Sequence, residues 1–238
     1  MKKFLSLVSV LVLWPLCAWT QQSENGIKQE GSGSFNIGYA HLNNSDFQKF
    51  LPEGFYQLSE SYLLLGGEGY GLKGNFLVGG SGQAIVGQDE SNGSLKTEIS
   101  GGMGFFNLGY TLVNQDKIKV FPMLGIGGGS MELRISEHKD VSVNEIIQEP
   151  SREITLEVGN FLLDFSLGLD YIPRIHMAKN GKEGGGFKTG VRVGYMLGFN
   201  SDNWNYGGGD VNGAPNFGLN SFYVKMVIGG YGFTIEER

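Results

Sequence analysis

The most regular feature of the sequence is an alternation of large apolar and small or charged side chains. Between residues 187 and 199 the odd positions are apolar or aromatic apart from one threonine, and the even positions carry Lys188, Arg192 and several glycines. Residues 160–171 repeat this pattern: their odd positions are apolar, and their even positions include Asp164 and Asp170. Since successive side chains of a strand point to opposite faces, both segments predict β-strands.

Similar alternation along the rest of the chain predicts an all-β fold with about eight strands. No helical periodicity of any length follows residue 60. Short polar or glycine-containing connections separate alternate pairs of segments, as expected for an antiparallel up-and-down arrangement. The predicted strands lie near residues 33–43, 60–72, 74–88, 95–114, 117–136, 152–173, 185–200 and 220–235.

The chemistry of the two faces favours a closed transmembrane barrel. The polar face is rich in glycine and carries charges of both signs, as a narrow barrel interior requires. The other face is long, apolar and aromatic, which is typical of a surface in contact with lipid. A secreted, soluble, lipocalin-like barrel is the alternative, and it would turn the aromatic face inward and expose Lys188 and Arg192.

Two features of the segment 117–136 predict local irregularity. Pro122 lacks the N–H that a central strand contributes to its ladder. The apolar residues occupy even positions before Gly125 and odd positions after Ser130. We therefore expect a β-bulge between these two residues.

Composition excludes several classes of protein. The 40 glycines lack the period of collagen, and a mean hydropathy of −0.12 is too low for a helical membrane protein. The formal charge of −6, without a basic stripe, argues against nucleic-acid binding. Cys17 is the single cysteine, so a disulfide framework is impossible.

The N-terminus has the pattern of a secretory signal peptide. Lys2 and Lys3 precede an apolar stretch at residues 4–16, and small residues lead into the polar sequence that begins at Gln21. Cleavage is predicted after Thr20, with cleavage after Ala18 or lipidation of Cys17 as alternatives. The predicted organisation is a leader at residues 1–20, a periplasmic segment at 21–32 and an outer-membrane barrel at 33–238. Without Lys2 and Lys3, 16 basic and 24 acidic residues remain, a charge of −8.

The leader, the eight segments and the aromatic last strand at residues 222–233 together resemble the small bacterial outer-membrane barrels of the outer-membrane protein X type and the barrel domain of outer-membrane protein A. The segment 121–129 also resembles strands of uncharacterised barrels from Bacteroidetes-type bacteria. The resemblance implies outer-membrane lipid and the outer-membrane assembly machinery as partners. It also implies that Phe233 acts as an assembly signal, although residues 234–238 follow it.

Catalytic and metal-binding patterns are weak. His41, His138 and His176 are not spaced as a metal cluster, and Ser166 lies on a distant segment from His41. The glycine strings lack the helix of a nucleotide fingerprint. We therefore expect no cofactor and no metal, and we expect the histidines to be exposed or to cap an element.

The interior charges are the most informative candidate site. We expect them to form a polar network that fills the barrel: Glu68, Asp164, Asp170, Lys188 and Arg192. The predicted function is a non-enzymatic outer-membrane protein with a structural or surface-interaction role and an unknown extracellular ligand. The alternatives are a small channel or carrier for apolar ligands, and a lipid-modifying enzyme that uses His41.

Overall fold

The structure is a computed structural model, and it describes residues 27–42, 59–87, 90–92, 95–115, 117–137, 153–173, 176–178, 183–199, 203–211, 213 and 216–236. Eight long strands form its framework, and we number them in chain order. They are β1 Ile27–Leu42, β2 Ser61–Lys73, β3 Phe76–Val86, β4 Leu95–Tyr110, β5 Ile118–Glu137, β6 Glu153–Tyr171, β7 Glu183–Gly198 and β8 Ser221–Glu236.

The eight strands close into an antiparallel up-and-down barrel. Each strand pairs with its neighbour in the chain, and β1 pairs with β8 from Ile27–Glu236 to Leu42–Ser221. Closure leaves these strands without a free edge. Among the described residues, no helix is long and apolar enough to cross a membrane.

The two ends of the barrel differ. The turn end holds a tight connection at Gly74, whose φ of 64° favours glycine, together with the start of β1 and the end of β8. The opposite end, which we call the loop end, carries the longer connections. One of these includes two short strands, Trp204–Tyr206 and Gly209–Val211, that extend the sheet beyond β6.

The first strand begins earlier than the sequence predicts. It starts at Ile27, within the segment 21–32 that was expected to precede the barrel. Residues 29–34 lack apolar alternation, so their pairing with β2 and β8, and not local hydrophobicity, makes them a strand. The predicted leader and its cleavage site lie outside the described residues, as do the short helix expected near residue 47 and His138.

The apolar faces point outward, which excludes the lipocalin-like alternative. Phe165 and Leu167 on β6 are 50% and 51% exposed, while Asp164 and Ser166 face the interior. Pairs of outward aromatic residues lie near both ends of this surface. Phe76 and Tyr110 meet near the turn end with ring centroids 5.3 Å apart, and Phe161 and Phe199 meet nearer the loop end at 5.5 Å.

The apolar belt matches the thickness of a membrane. On β6 it runs from Tyr171 to Phe161, about 33 Å along the strand. At the usual strand tilt of about 40° this corresponds to about 25 Å across the bilayer. Beyond it the outward residues become polar, with Glu157 on β6 and Glu132 and Arg134 on β5.

The predicted bulge in β5 is absent, and that prediction was wrong. The strand pairs residue for residue with β4 from Met123 to Glu137 and with β6 from Ile118 to Ser136. Odd residues face inward throughout; Met131 and Leu133 are buried in an apolar part of the lumen. The apolar residues move from even to odd positions because the lumen that the odd positions face is apolar towards the loop end. The register of the strand does not change.

Pro122 lies where the ladder between β4 and β5 is interrupted. Pairing of β5 with β4 ends at Gly109 and Met123. Beyond the gap, Val113 of the following two-residue strand pairs with Val120. Pairing with β6 continues through Pro122 and Leu167. The interruption explains how a closed sheet accommodates proline.

A charge in the middle of the apolar belt should be costly. We expect Leu167→Arg to lower the free energy of unfolding in lipid vesicles by about 2–4 kcal/mol, because the guanidinium would face hydrocarbon. Glu157→Arg, outside the belt, should change it by less than about 1 kcal/mol. Urea titration of both variants measures this; equal stability of the two would contradict a lipid-facing belt.

Candidate functional site

The centre of the lumen holds a compact charge network. Asp170 on β6 accepts a hydrogen bond from Arg192 Nη1 at 2.7 Å, lies 3.2 Å from Lys188 Nζ, and accepts a second hydrogen bond from the Tyr70 hydroxyl. Arg192 Nη2 also reaches Glu68 Oε1 at 2.5 Å. Asp170 and Lys188 are fully buried and Arg192 is 1% exposed. Two cations and two carboxylates therefore compensate one another across β2, β6 and β7.

Aromatic rings hold the cations of this network in place. Lys188 Nζ lies 4.2 Å from the centroid of the Tyr70 ring, and the Arg192 guanidinium lies 4.9 Å from that of Phe121. Glycines that face the lumen leave room for the aromatic rings that contact these cations. At Gly168 an added Cβ would lie 2.4 Å from the Phe121 ring.

A second ion pair lies nearer the turn end. Lys119 Nζ approaches Glu30 Oε2 at 2.5 Å and Asn114 Oδ1 at 2.8 Å, and both side chains of the ion pair are almost fully buried. On this side Phe233 faces the interior and packs against Tyr231 and Ile172.

Asp164 belongs to a third group, on the loop side of the central network. The Tyr223 hydroxyl donates to its carboxylate at 2.8 Å, and Lys225 Nζ lies 4.2 Å from the centroid of the Tyr223 ring. With Lys225 included, the buried lumen charges of the described residues are balanced. They are the carboxylates Glu30, Glu68, Asp164 and Asp170 and the cations Lys119, Lys188, Arg192 and Lys225.

The loop-end half of the lumen is apolar. One hydrophobic cluster fills it, with contributions from all eight strands and from Trp204, Phe217 and Leu219 in the β7–β8 connection. Asn160 on β6 ties this connection to the barrel: its Nδ2 donates to Phe217 O at 3.0 Å, and its Oδ1 accepts from Leu219 N at 3.2 Å. The lumen is thus polar at its centre and closed by apolar side chains towards the loop end.

The structure brings together four of the five network residues that the sequence predicts: Glu68, Asp170, Lys188 and Arg192. Asp164 lies apart from them. Sequence reasoning missed Glu30, Lys119 and Lys225, although Lys119 and Lys225 are the charged residues at the inward positions of strands that are otherwise largely apolar. Glu30 precedes the first apolar alternation, so the sequence offered no signal for it.

The residues considered for catalysis do not meet. His41 faces outward, with Nε2 3.6 Å from Glu60 Oε2 and both side chains more than half exposed. Ser166 is buried on the opposite side of the barrel wall. The described residues contain no cluster of three metal-ligating side chains. The exposed setting of His41 agrees with the sequence-based expectation.

No family model matches this sequence, and no curated protein does. Among solved structures, the chain is similar to the attachment invasion locus protein Ail of Yersinia pestis, with 9% identity, a TM-score of 0.38 and coverage of 88% of this chain and 99% of that one. A major outer membrane protein from Thermus thermophilus has 9% identity and a TM-score of 0.42, with coverage of 87% of this chain and 98% of that one. The outer membrane protease OmpT from Escherichia coli has 9% identity and a TM-score of 0.32, with coverage of 92% of this chain and 99% of that one.

The chain's own geometry defines its class. It is a closed, antiparallel, eight-stranded β-barrel with a lipid-facing exterior and a lumen filled by side chains, an architecture of bacterial outer membranes. The fold that the resemblance to small outer-membrane barrels implies is confirmed.

Proposed function

We propose that this protein is a non-enzymatic integral protein of the outer membrane with a structural or surface-interaction role. The filled, charge-balanced lumen carries this proposal. Arg192, Lys188 and Phe121 are almost completely buried and occupy the cross-section that an open pore would need. Next to Glu68 and Tyr70 there is a cavity of about 10 Å³, room for about one water molecule.

The extension of the sheet at the loop end supports a role at the cell surface. Strands β5 and β6 continue past the apolar belt, and Trp204–Tyr206 adds to β6 there. These segments present outward polar side chains that include Glu132, Arg134 and Glu157. In this proposal the loop end faces the outside of the cell, and the start of β1 and the end of β8 lie on the periplasmic side.

Single-cysteine labelling tests this orientation. Cys17 is the only natural cysteine, so the Cys17→Ala chain provides a clean background. We expect a membrane-impermeant maleimide to label Asp210→Cys on intact cells, and to label Asn75→Cys only after the outer membrane is permeabilised. The reverse pattern would overturn the proposed orientation.

Two cellular measurements test the role itself. The outer-membrane fraction should contain a band whose gel mobility shifts on boiling, because closed barrels resist detergent until they are heated. Deletion of the gene should alter envelope integrity or surface binding and leave the lipid A composition unchanged by mass spectrometry. A lipid product that disappears on deletion and again with His41→Ala would establish the enzymatic alternative instead.

A further inference from the structure

The loop-end half of the lumen differs from the interior expected of a transmembrane barrel. Such interiors are usually polar. Here a ring of apolar side chains from five strands surrounds a small cavity of about 10 Å³; it includes Ala40, Tyr62, Leu64, Ile85, Met103 and Met196. We call this region the apolar chamber. The central charge network closes it on the turn side, so it is accessible only from the loop end or between strands.

The chamber is closed by side chains that do not belong to the barrel strands. Phe217 and Leu219, which we call the outer plug, are 3% and 1% exposed. Trp204, on the short strand that pairs with β6, is 1% exposed and packs beside them. The Trp204 and Phe217 rings meet at 6.0 Å, and Leu219 lines the cavity itself. The outer plug is therefore an apolar filling held on the connection between β7 and β8.

The attachment of the plug is local. Asn160 forms the hydrogen bonds to residues 217 and 219, and Gly198 N donates to Asn220 Oδ1 at 3.0 Å. Gly198 also leaves room for the connection, because a Cβ there would lie 2.4 Å from Leu219 N. These polar contacts link the connection that carries the plug to β6 and β7.

The wall of the chamber also carries the hydroxyl group of Ser221. Ser221, at the start of β8, is 2% exposed and lines the cavity, and its Oγ has no hydrogen-bond partner among the described residues. A buried hydroxyl without a partner is costly unless a ligand or water satisfies it. An uncharged apolar molecule with one hydroxyl or carbonyl group would bury its hydrocarbon part against the chamber wall and bond to Ser221.

We propose that the apolar chamber is a binding site for a small uncharged apolar molecule with a single hydrogen-bonding group, and that the outer plug occupies the site when the ligand is absent. Eight-stranded barrels are wide enough to hold one small ligand. Binding displaces Phe217 and Leu219. The apparent affinity is therefore the intrinsic affinity multiplied by the fraction of molecules in which the plug has left the site. This proposal concerns the lumen and goes beyond the structural or surface role.

Trp204 supplies a direct reporter. The sequence has three tryptophans, and with Trp14 and Trp19 replaced by phenylalanine the emission comes from Trp204 alone. The probe is octanol carrying a terminal bromine, which quenches tryptophan on contact, titrated into the folded barrel in lipid vesicles. The control chain carries Trp204→Phe and Phe165→Trp, so that its tryptophan faces lipid and reports only partition of the probe into the bilayer.

We expect quenching of Trp204 to saturate, and quenching of the lipid-facing tryptophan to rise in proportion to the probe in the membrane. Ser221→Ala should weaken binding of the bromo-octanol by about three- to tenfold and leave binding of bromooctane unchanged. Asn160→Ala should tighten binding of both probes, because it loosens the plug. Asn107→Ala, which removes a lumen amide bonded to Ser81 Oγ away from the plug, should not.

Non-saturating quenching of Trp204 that parallels the lipid-facing control would overturn the proposal. Saturating quenching that Asn160→Ala leaves unchanged would also overturn the role of the plug. Each variant is first checked for the heat-dependent mobility shift of a folded barrel. The wild-type titration alone already decides whether the chamber binds the probe.

Discussion

Replacing Asp170 with alanine is expected to lower the free energy of unfolding by about 3–5 kcal/mol. Asp170 is fully buried and contacts Arg192, Lys188 and Tyr70. Its removal would leave two cations inside the lumen with Glu68 as the remaining carboxylate of that network. Urea unfolding in lipid vesicles, followed by Trp204 emission, measures the loss.

The exposed ion pair between Arg134 and Glu132 provides the matched control. Its atoms are 3.0 Å apart, similar to those of the buried pairs, but both side chains are a third or more exposed. Glu132→Ala should therefore cost less than about 1 kcal/mol. A similar loss from both substitutions would show that burial does not determine the strength of the central network.

A double substitution separates loss of packing from loss of charge balance. Asp170→Asn with Lys188→Met removes one negative and one positive charge together. We expect the pair to cost less than the sum of the two single substitutions, because neither partner is then left as an uncompensated buried charge. Additive costs would contradict a direct electrostatic coupling between Asp170 and Lys188.

The second large effect concerns two adjacent glycines of β8 that face opposite sides of the barrel wall. At Gly229, which faces inward, an added Cβ would lie 2.2 Å from Gly33 O and 2.5 Å from Ser34 Oγ. Gly229→Ala should thus destabilise the barrel by about 1–3 kcal/mol, because the backbone carbonyl cannot move aside without disturbing the β1–β8 pairing.

Gly230 is the natural control for this experiment. It faces outward, and an added Cβ would meet nothing within 4 Å. Gly230→Ala should change stability by less than about 1 kcal/mol, in the stabilising direction if restriction of the unfolded chain dominates. The comparison requires only urea midpoints of the two variants, and equal midpoints would contradict crowding on the inner face of the barrel.

The position of the strands was predictable because alternation is local. A side chain of β6 or β7 shows its face by its own position in the strand, so the outward orientation of Leu167 and Val193 and the inward orientation of Asp164 and Arg192 follow from the sequence. The start of β1 was not predictable in this way. Residues 29–34 carry few apolar side chains, and only their partners on β2 and β8 define them as strand.

The candidate site was predictable in part for the same reason. Lys188 and Arg192 interrupt an otherwise small inner face, and Asp170 lies on the neighbouring strand. Which carboxylate they meet depends on the stagger of the strands and on the curvature of the barrel. These decide that Asp170, and not Asp164, contacts both cations, and that Glu68 reaches Arg192 from β2, 124 residues away in the chain.

By itself, the sequence determined a β-barrel with an apolar exterior and an interior of small and charged side chains. It could do so because apolar and polar side chains alternate every two residues within each strand, independently of the other strands. The tertiary structure alone decided the pairing of the eight buried charges and the division of the lumen into a polar centre and an apolar loop end. Met131 and Leu133 illustrate the difference. The change from even to odd apolar positions suggested a bulge. The register is in fact continuous, and Met131 and Leu133 are apolar because they face the apolar side chains of the loop-end lumen.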